Sequence, residues 1–283
     1  MTTATQATGS VFLQRTRGHT MGPITRLISP GDSVAERLKP FVFLDAVDIR
    51  ASGPFGFDWH PHSGIATVTI HFEGESWTQE SDHIVHALPA GAVEWVNAGR
   101  GIWHRGGAKP DSPVRGFQLW LALRENEELQ PGASGYYQPP QLPTNGTVRV
   151  ILGEFEGMRS PIPAPPNVTY LQLSLEAGQQ VTLAARPQEV AFVAVLRGDI
   201  EVSGSGSREI LQGPELGVLG PLEGPIVVVA RAATQMVYGA APPHPHELVL
   251  GRYSVHTSPS ALSHGEGEIA RLRAQGLGGS AGR

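Results

Sequence analysis

The chain reads as all-β: two jelly-roll-like β-barrels packed together, with a short C-terminal helix. Three observations predict this. Apolar and polar residues alternate at the two-residue period of strands in many short segments. Gly 35 and Pro 24 make up about a fifth of the 283 residues, which suits many strands joined by turns better than long helices. The first half also has a weak echo in the second. Ile70-His-Phe-Glu-Gly-Glu75 and Ala194-Val-Leu-Arg-Gly-Asp199 are each a strand, a charged residue, Gly and an acid, followed later by a Gly/Pro turn and another strand.

The elements follow in order. Ile65 to Phe72 alternates and is ended by Glu73-Gly74-Glu75. Ala92 to Val96 is entered through Pro89-Ala-Gly91. Val114 to Leu123 is nearly all apolar, as a strand buried on both faces would be. Thr147 to Leu152 is a fourth strand. The Pro-rich Ser160 to Asn167 cannot sit inside a sheet, because each proline lacks a ladder donor. Strand patterns resume at Val168 to Leu175, then at Val181 to Leu183, Glu189 to Leu196, Asp199 to Val202, Leu216 to Leu219 and Ile226 to Ala230. Ser258 to Gln275 is helix-compatible. The expected organisation is a disordered start (1–10), a first barrel carrying the site (11–140), a second barrel (141–265), and a helix with a fraying tail (266–283).

Composition excludes several classes. A net charge of -5, with no Lys/Arg run, argues against direct nucleic-acid binding, which needs a basic face to displace counterions. Cys 0 removes disulfides, thiolate metal sites and cysteine nucleophiles. No apolar run is long enough for a membrane span, and Met1 to Ser10 lacks the basic and apolar regions of a secretory signal. A cytoplasmic protein is expected.

The chemistry sits in the histidines. In His60-Pro-His62, residues i and i+2 of a strand point to one side, placing two imidazoles together on what would be a barrel lumen. Chance, or a hydrogen-bonded pair, is the plainer explanation of that motif alone. His104 closes the glycine-rich turn Asn97-Ala-Gly-Arg-Gly-Ile-Trp-His104, which a barrel could bring beside the pair. Three neutral imidazoles suit a divalent Fe, Ni, Cu, Mn, Co or Zn ion.

These same residues resemble the pirin family. Phe57 to Ile70, containing Trp59-His-Pro-His-Ser-Gly64 and Thr67-Val-Thr69, is similar to that family's first signature. Ala90 to His104 is similar to its second, and Phe117-Gln-Leu-Trp120 to its Leu-Gln-Leu-Trp strand. Gly239 to Ser258 is a looser match to the family's C-terminal segment. The resemblance covers most of residues 11 to 265. It implies a bicupin, two cupin-type barrels, with one metal ion, usually iron, in the first. It also implies either flavonol oxidation with dioxygen, as in quercetin 2,3-dioxygenases, or metal-dependent partnership with regulators or metabolic enzymes.

The sequence departs from the family at two acids. The residue two after the third histidine, usually a Glu ligand, is Gly106; the acid four after the second histidine is Ala66. Losing an anionic ligand would weaken metal retention and raise the redox potential. Counting in twos from His62 puts Ala66, Val68 and Ile70 on the lumen face, and His71 outside unless a bulge intervenes. His83 and His86 lie in a loop that could fold over the site. Glu94 reads as a surface or ion-pairing residue. His244-Pro-His246 imitates the first motif, but reads as a loop packing against the first barrel. Arg100 and Arg105 fit a solvated or salt-bridged face as well as a substrate role. Trp59, Trp95, Trp103 and Trp120 read as core and mouth-lining residues that could accept a flat aromatic ligand.

Three functions compete. One is a quercetinase-type metalloenzyme with a small aromatic substrate. The second is a non-enzymatic regulatory or binding module that recognises a protein partner or small ligand, with a degenerate or structural metal site. The third is a metal-free barrel binding a carbohydrate or metabolite.

Overall fold

A computed structural model describes residues 10–50, 55–186, 188–204, 206–221 and 224–276. The expected loose start and frayed tail therefore lie outside the described residues, Ser10 and Gly276 apart, as do Gly53 and Pro54 of the glycine-rich run before His60.

The expected double barrel is present. The first barrel closes a seven-stranded sheet over a four-stranded one. The larger sheet runs Ala133–Tyr137, Val93–Asn97, Ile65–Glu73, Val114–Ala122, Phe41–Ile49, Ile24–Ile28, His19–Met21. The smaller runs Gly56–His62, Ile102–Ala108, Glu75–Glu80, Val85–Pro89. The second barrel pairs a six-stranded sheet with the four strands Gln180–Leu183, Ile226–Ala230, Asp199–Gly204 and Ser207–Gln212. One strand crosses the expected boundary. Phe12–Thr16, read from sequence as part of the first barrel, pairs with Glu215–Leu219 at the edge of the second. Its buried Phe12 packs in the second core, a long-range pairing that local alternation cannot assign. The C-terminal helix spans Pro259–Ala274, within the helix-compatible Ser258 to Gln275 and ahead of the expected domain boundary at 266; Ser258 caps it by accepting the Ala261 amide and Pro259 starts it.

The larger sheets of the two barrels pack face to face. Ala66, Val68, Ile70, Trp95, Phe117 and Leu119 of the first share one core with Tyr170, Phe192, Leu216 and Val237 of the second. Phe41 and Phe192 meet edge to face across it, ring centroids 5.1 Å apart.

This face corrects the sequence parity. Ala66, Val68 and Ile70 look toward the other barrel, so Ala66 is not a lumen position. Thr67, Thr69 and His71 occupy the lumen face instead. The count in twos from His62 fails because His62 ends one strand and Ile65 begins another in the opposite sheet, across the Ser63-Gly64 turn. Gly64 has φ +72, and a Cβ there would lie 2.0 Å from the Val255 carbonyl oxygen.

The two lumens differ. The second is filled by aliphatic side chains including Leu171, Leu173, Val193, Val195, Ile200 and Val228. The first has an apolar end around Phe43, Ile65 and Trp120. Its remainder holds histidines, threonines, Glu94 and a cavity.

Phe192 has no exposed surface and lies at the centre of the inter-barrel core. Phe192→Ala is expected to cost about 3–5 kcal/mol of unfolding free energy, measured by urea denaturation. A loss below about 1 kcal/mol would contradict a shared, well-packed core.

Candidate metal centre

His60 and His62 lie on Gly56–His62, an edge strand of the smaller sheet, where Pro61 can forgo a ladder donor. Across from it, Ile102–Ala108 runs antiparallel with His104 opposite His60 and Ile102 opposite His62. Alternation and register therefore put the three imidazoles on one side of one strand pair. A bulge between His104 and Gly106 then turns the edge strand at Phe57 to His60. Ring centroids are 4.4 Å apart for His60 and His104, and 5.0 Å for His62 with either of the others. One ring nitrogen from each lies within 4.8 Å of the others.

Backbone carbonyls fix two of the rings. His60 Nδ1 is 2.8 Å from the Asp58 carbonyl oxygen, and His62 Nδ1 is 3.1 Å from that of Tyr253. A carbonyl only accepts, so each Nδ1 carries the proton and donates. Each Nε2 is then left with its lone pair, as a ligand needs. His62 Nε2 and both nitrogens of His104 are buried without a hydrogen-bond partner. Such orphans, in a cluster of otherwise satisfied strands, match the donor set a metal ion takes.

Electrostatics favours the neutral form of His60 and His62. Burial, then the His104 charge, lowers the His60 pKa to about 4. Burial, then His104 and His60, lowers His62 well below its ordinary value. Behind His62, Trp120 stands at 4.9 Å and is stacked on Phe43 at 4.2 Å.

A second, buried network holds the Tyr253 carbonyl in place. Ser63 Oγ contacts Ser254 Oγ and His256 Nε2, each at 2.9 Å. His256 Nδ1 donates to Glu128 Oε2 at 2.9 Å, and Glu128 also accepts the Thr257 amide at 2.8 Å. These groups lie next in sequence to His62 and Tyr253, so the network pins the C-terminal segment beneath a candidate ligand. His256 and Glu128 gave no motif in the sequence, because 128 residues separate them.

The cavity reaches from this cluster along the lumen, about 730 Å³ including its open mouth. Phe55, Phe57, Trp77, His71, Glu94 and Gln118 are among its walls, with His60 and His104. Phe57 is half exposed at the rim. The aromatic and apolar part of the lining fits a flat, mostly apolar small molecule.

Several sequence readings change here. His71 lines the cavity rather than facing out, and burial lowers its pKa to about 4. Glu94 is no surface residue: it is buried in the lumen, accepts from Thr78 Oγ1 at 2.7 Å and Thr69 Oγ1 at 2.8 Å, and faces His104 Nδ1 at 3.7 Å. Burial would raise its pKa, but His104 and the two hydroxyls outweigh that and hold it at about 2. Its alternation with Val93 and Trp95 could have signalled the lumen, once those two were assigned to the inter-barrel face. Gly106 lies in the cavity wall, where a Cβ would stand 2.8 Å from the Trp77 carbonyl oxygen. The strand spacing thus leaves no room for a side chain there.

The remaining candidates stay outside the cluster. His86 stacks on Tyr136 at 3.7 Å, and His83 lies edge-on to Trp59 at 6.1 Å. The His244–His246 loop packs on the first barrel, as expected: His244 Nε2 donates to the Leu123 carbonyl at 3.1 Å while Nδ1 accepts from the His246 amide. Arg100 pairs with Glu268 of the C-terminal helix. Arg105 donates to Gln79 at 2.8 Å and lies over Trp59. Among the described residues, His60, His62 and His104 are the one group of three metal-capable side chains.

Fold and cluster together define a bicupin with a histidine-lined cavity in its first barrel. The pirin family model matches residues 24–121. A pirin-like protein of Caulobacter vibrioides is 32% identical over 222 residues, 73% of this chain and 75% of the relative. The chain belongs to the pirin family. A crystal structure of quercetin 2,3-dioxygenase from Acinetobacter baumannii has a TM-score of 0.80 at 23% identity, covering 95% of this chain and 98% of that one. Bacterial pirin YhhW from Escherichia coli, in complex with nickel(II), has a TM-score of 0.62 at 16% identity, covering 80% and 94%. No helix among the described residues is long and apolar enough to cross a membrane.

The depressed histidines make stability depend on pH. Between the ordinary histidine value of 6.5 and about 4, the unfolded chain binds protons that folded His60 and His71 refuse. Unfolding free energy of the metal-free protein should therefore fall as pH drops through that window. Urea midpoints at pH 7 and pH 5 check this: the midpoint is expected to be lower at pH 5, and an equal or higher one would contradict it.

Proposed function

We propose that the chain binds one divalent metal ion through His60, His62 and His104, and uses it as a quercetinase-type dioxygenase on a flat hydroxylated aromatic compound. The observation that carries this is the convergence of three imidazole nitrogens within 4.8 Å at one end of an apolar, aromatic-walled cavity. Bonds of about 2.1 Å hold ligand nitrogens around one ion roughly 3.4 Å apart, so small ring rotations would close the set. Similarity in fold to a quercetin 2,3-dioxygenase and to a nickel-bound pirin supports it.

The residues divide the work. The Asp58 and Tyr253 carbonyls hold His60 and His62 as Nδ1–H tautomers, so their Nε2 atoms are the ones offered. Trp120 and Phe43 keep water from the back of His62. Phe55, Phe57 and Trp77 present ring faces and edges to a planar ligand and exclude water around it. Bound there, the ion would supply Lewis acidity and, if iron or another redox metal, electron transfer toward dioxygen.

Gly106 favours a second reading. Without a carboxylate at that position, the ion would hold the barrel in a shape read by a protein partner, with no turnover.

Two measurements test the proposal. Purified wild type is expected to carry close to one metal ion per chain, and the His60→Ala, His62→Ala double variant less than a tenth of that, by elemental analysis. Equal content in both would place the ion elsewhere. Wild type loaded with Fe, Mn, Ni, Co or Cu is expected to consume oxygen with quercetin. Metal retention without oxygen uptake, for every metal, would remove the enzyme reading and leave the partner-binding one.

A further inference from the structure

Glu94 is a buried carboxylate that makes no ion pair with Lys or Arg among the described residues. Its carboxylate ties the two sheets of the first barrel together: Thr69 is its register partner in the larger sheet, and Thr78 comes from the smaller. Their hydroxyls donate one bond to each oxygen, Oε2 and Oε1. Two neutral donors leave much of a buried charge uncompensated. The one ion-pairing group within reach is His104, whose Nδ1 lies 3.7 Å from Oε1. His104 differs from His60 and His62 in having no backbone carbonyl on either nitrogen. Each therefore lacks what the other supplies: His104 needs an acceptor to fix its tautomer, and Glu94 needs positive charge.

Resting on the three-histidine reading above, we propose that Glu94 is the positioning carboxylate of this centre, accepting the His104 Nδ1 proton from across the lumen and so lending its negative charge to an ion held on the far nitrogen. A carboxylate behind a ligating imidazole raises its basicity and fixes its orientation. The centre then gains its anionic partner from strand Val93–Asn97, through an imidazole, while the backbone crowding at Gly106 keeps the direct position empty. Glu94 also lines the cavity. The same carboxylate therefore disfavours anionic ligands on its side.

The test is cobalt(II) titration against a chromophoric chelator. Glu94→Gln keeps the shape and the threonine contacts, since the hydroxyls can turn to accept, but removes the charge. It is expected to weaken cobalt binding about 10–100-fold and to shift the cobalt ligand-field bands, with the metal-free melting temperature within a few degrees of wild type. Thr78→Val removes one tie between the sheets and leaves the charge. It is expected to lower the melting temperature while cobalt affinity stays within about threefold. If Glu94→Gln binds cobalt as tightly as wild type, with unchanged bands, the role of Glu94 is overturned and the three-histidine site stands. If wild type takes up no cobalt, both fall. Should Glu94→Gln fail to fold, Glu94→Asp, which draws the charge back from His104 by one methylene, carries the test: a weaker affinity supports the proposal and an equal one overturns it.

Discussion

The pairing of one edge strand with its neighbour is the constraint from which the rest follows. With His104 opposite His60, and His62 two residues along, strand geometry alone sets three imidazoles side by side. Any slip of one residue would turn His104 into the wall. The register is held by a bulge on one side and, on the other, by the tight Ser63-Gly64 turn, where the backbone of residue 255 leaves no room for a Cβ. The centre is thus a property of main-chain geometry first and of side-chain chemistry second.

Burial then selects the protonation state. Three rings packed among Trp120, Phe43 and one another cannot all carry charge, and both desolvation and mutual repulsion push His60 and His62 toward the neutral form. Main-chain carbonyls choose which nitrogen keeps the proton. The C-terminal segment reaches back across the whole chain to supply one of those carbonyls, and its Ser63–His256–Glu128 anchor is almost without solvent exposure. This explains why the second barrel, whose lumen is filled with aliphatic side chains, still matters to the first: its larger sheet buries the outer face of the sheet that carries Thr69 and Glu94, and the chain leaving it pins His62.

Most of the fold and the centre of the site were legible because they are local. Alternation marked the strands, glycines and prolines marked their ends, and His60, His62 and His104 sit in motifs short enough to read directly. What was missed depends on contacts far apart in sequence. The lumen face of Ile65–Glu73 was inverted because a two-residue count does not survive a turn between opposite sheets. That inversion hid both His71 and Glu94, since Glu94 is the register partner of Thr69 and shares its face. Phe12–Thr16 went to the wrong barrel because its partner lies about two hundred residues away. Glu128 and His256 belong to no sequence motif, and only the fold joins them.

The central claim is that three neutral imidazoles share one ion inside the first barrel. Anomalous diffraction from crystals grown with nickel(II), collected at the metal edge, tests it directly. One strong peak is predicted about 2.1 Å from a ring nitrogen of each of His60, His62 and His104. A peak at His244 and His246 instead, or none in the first lumen, would contradict it.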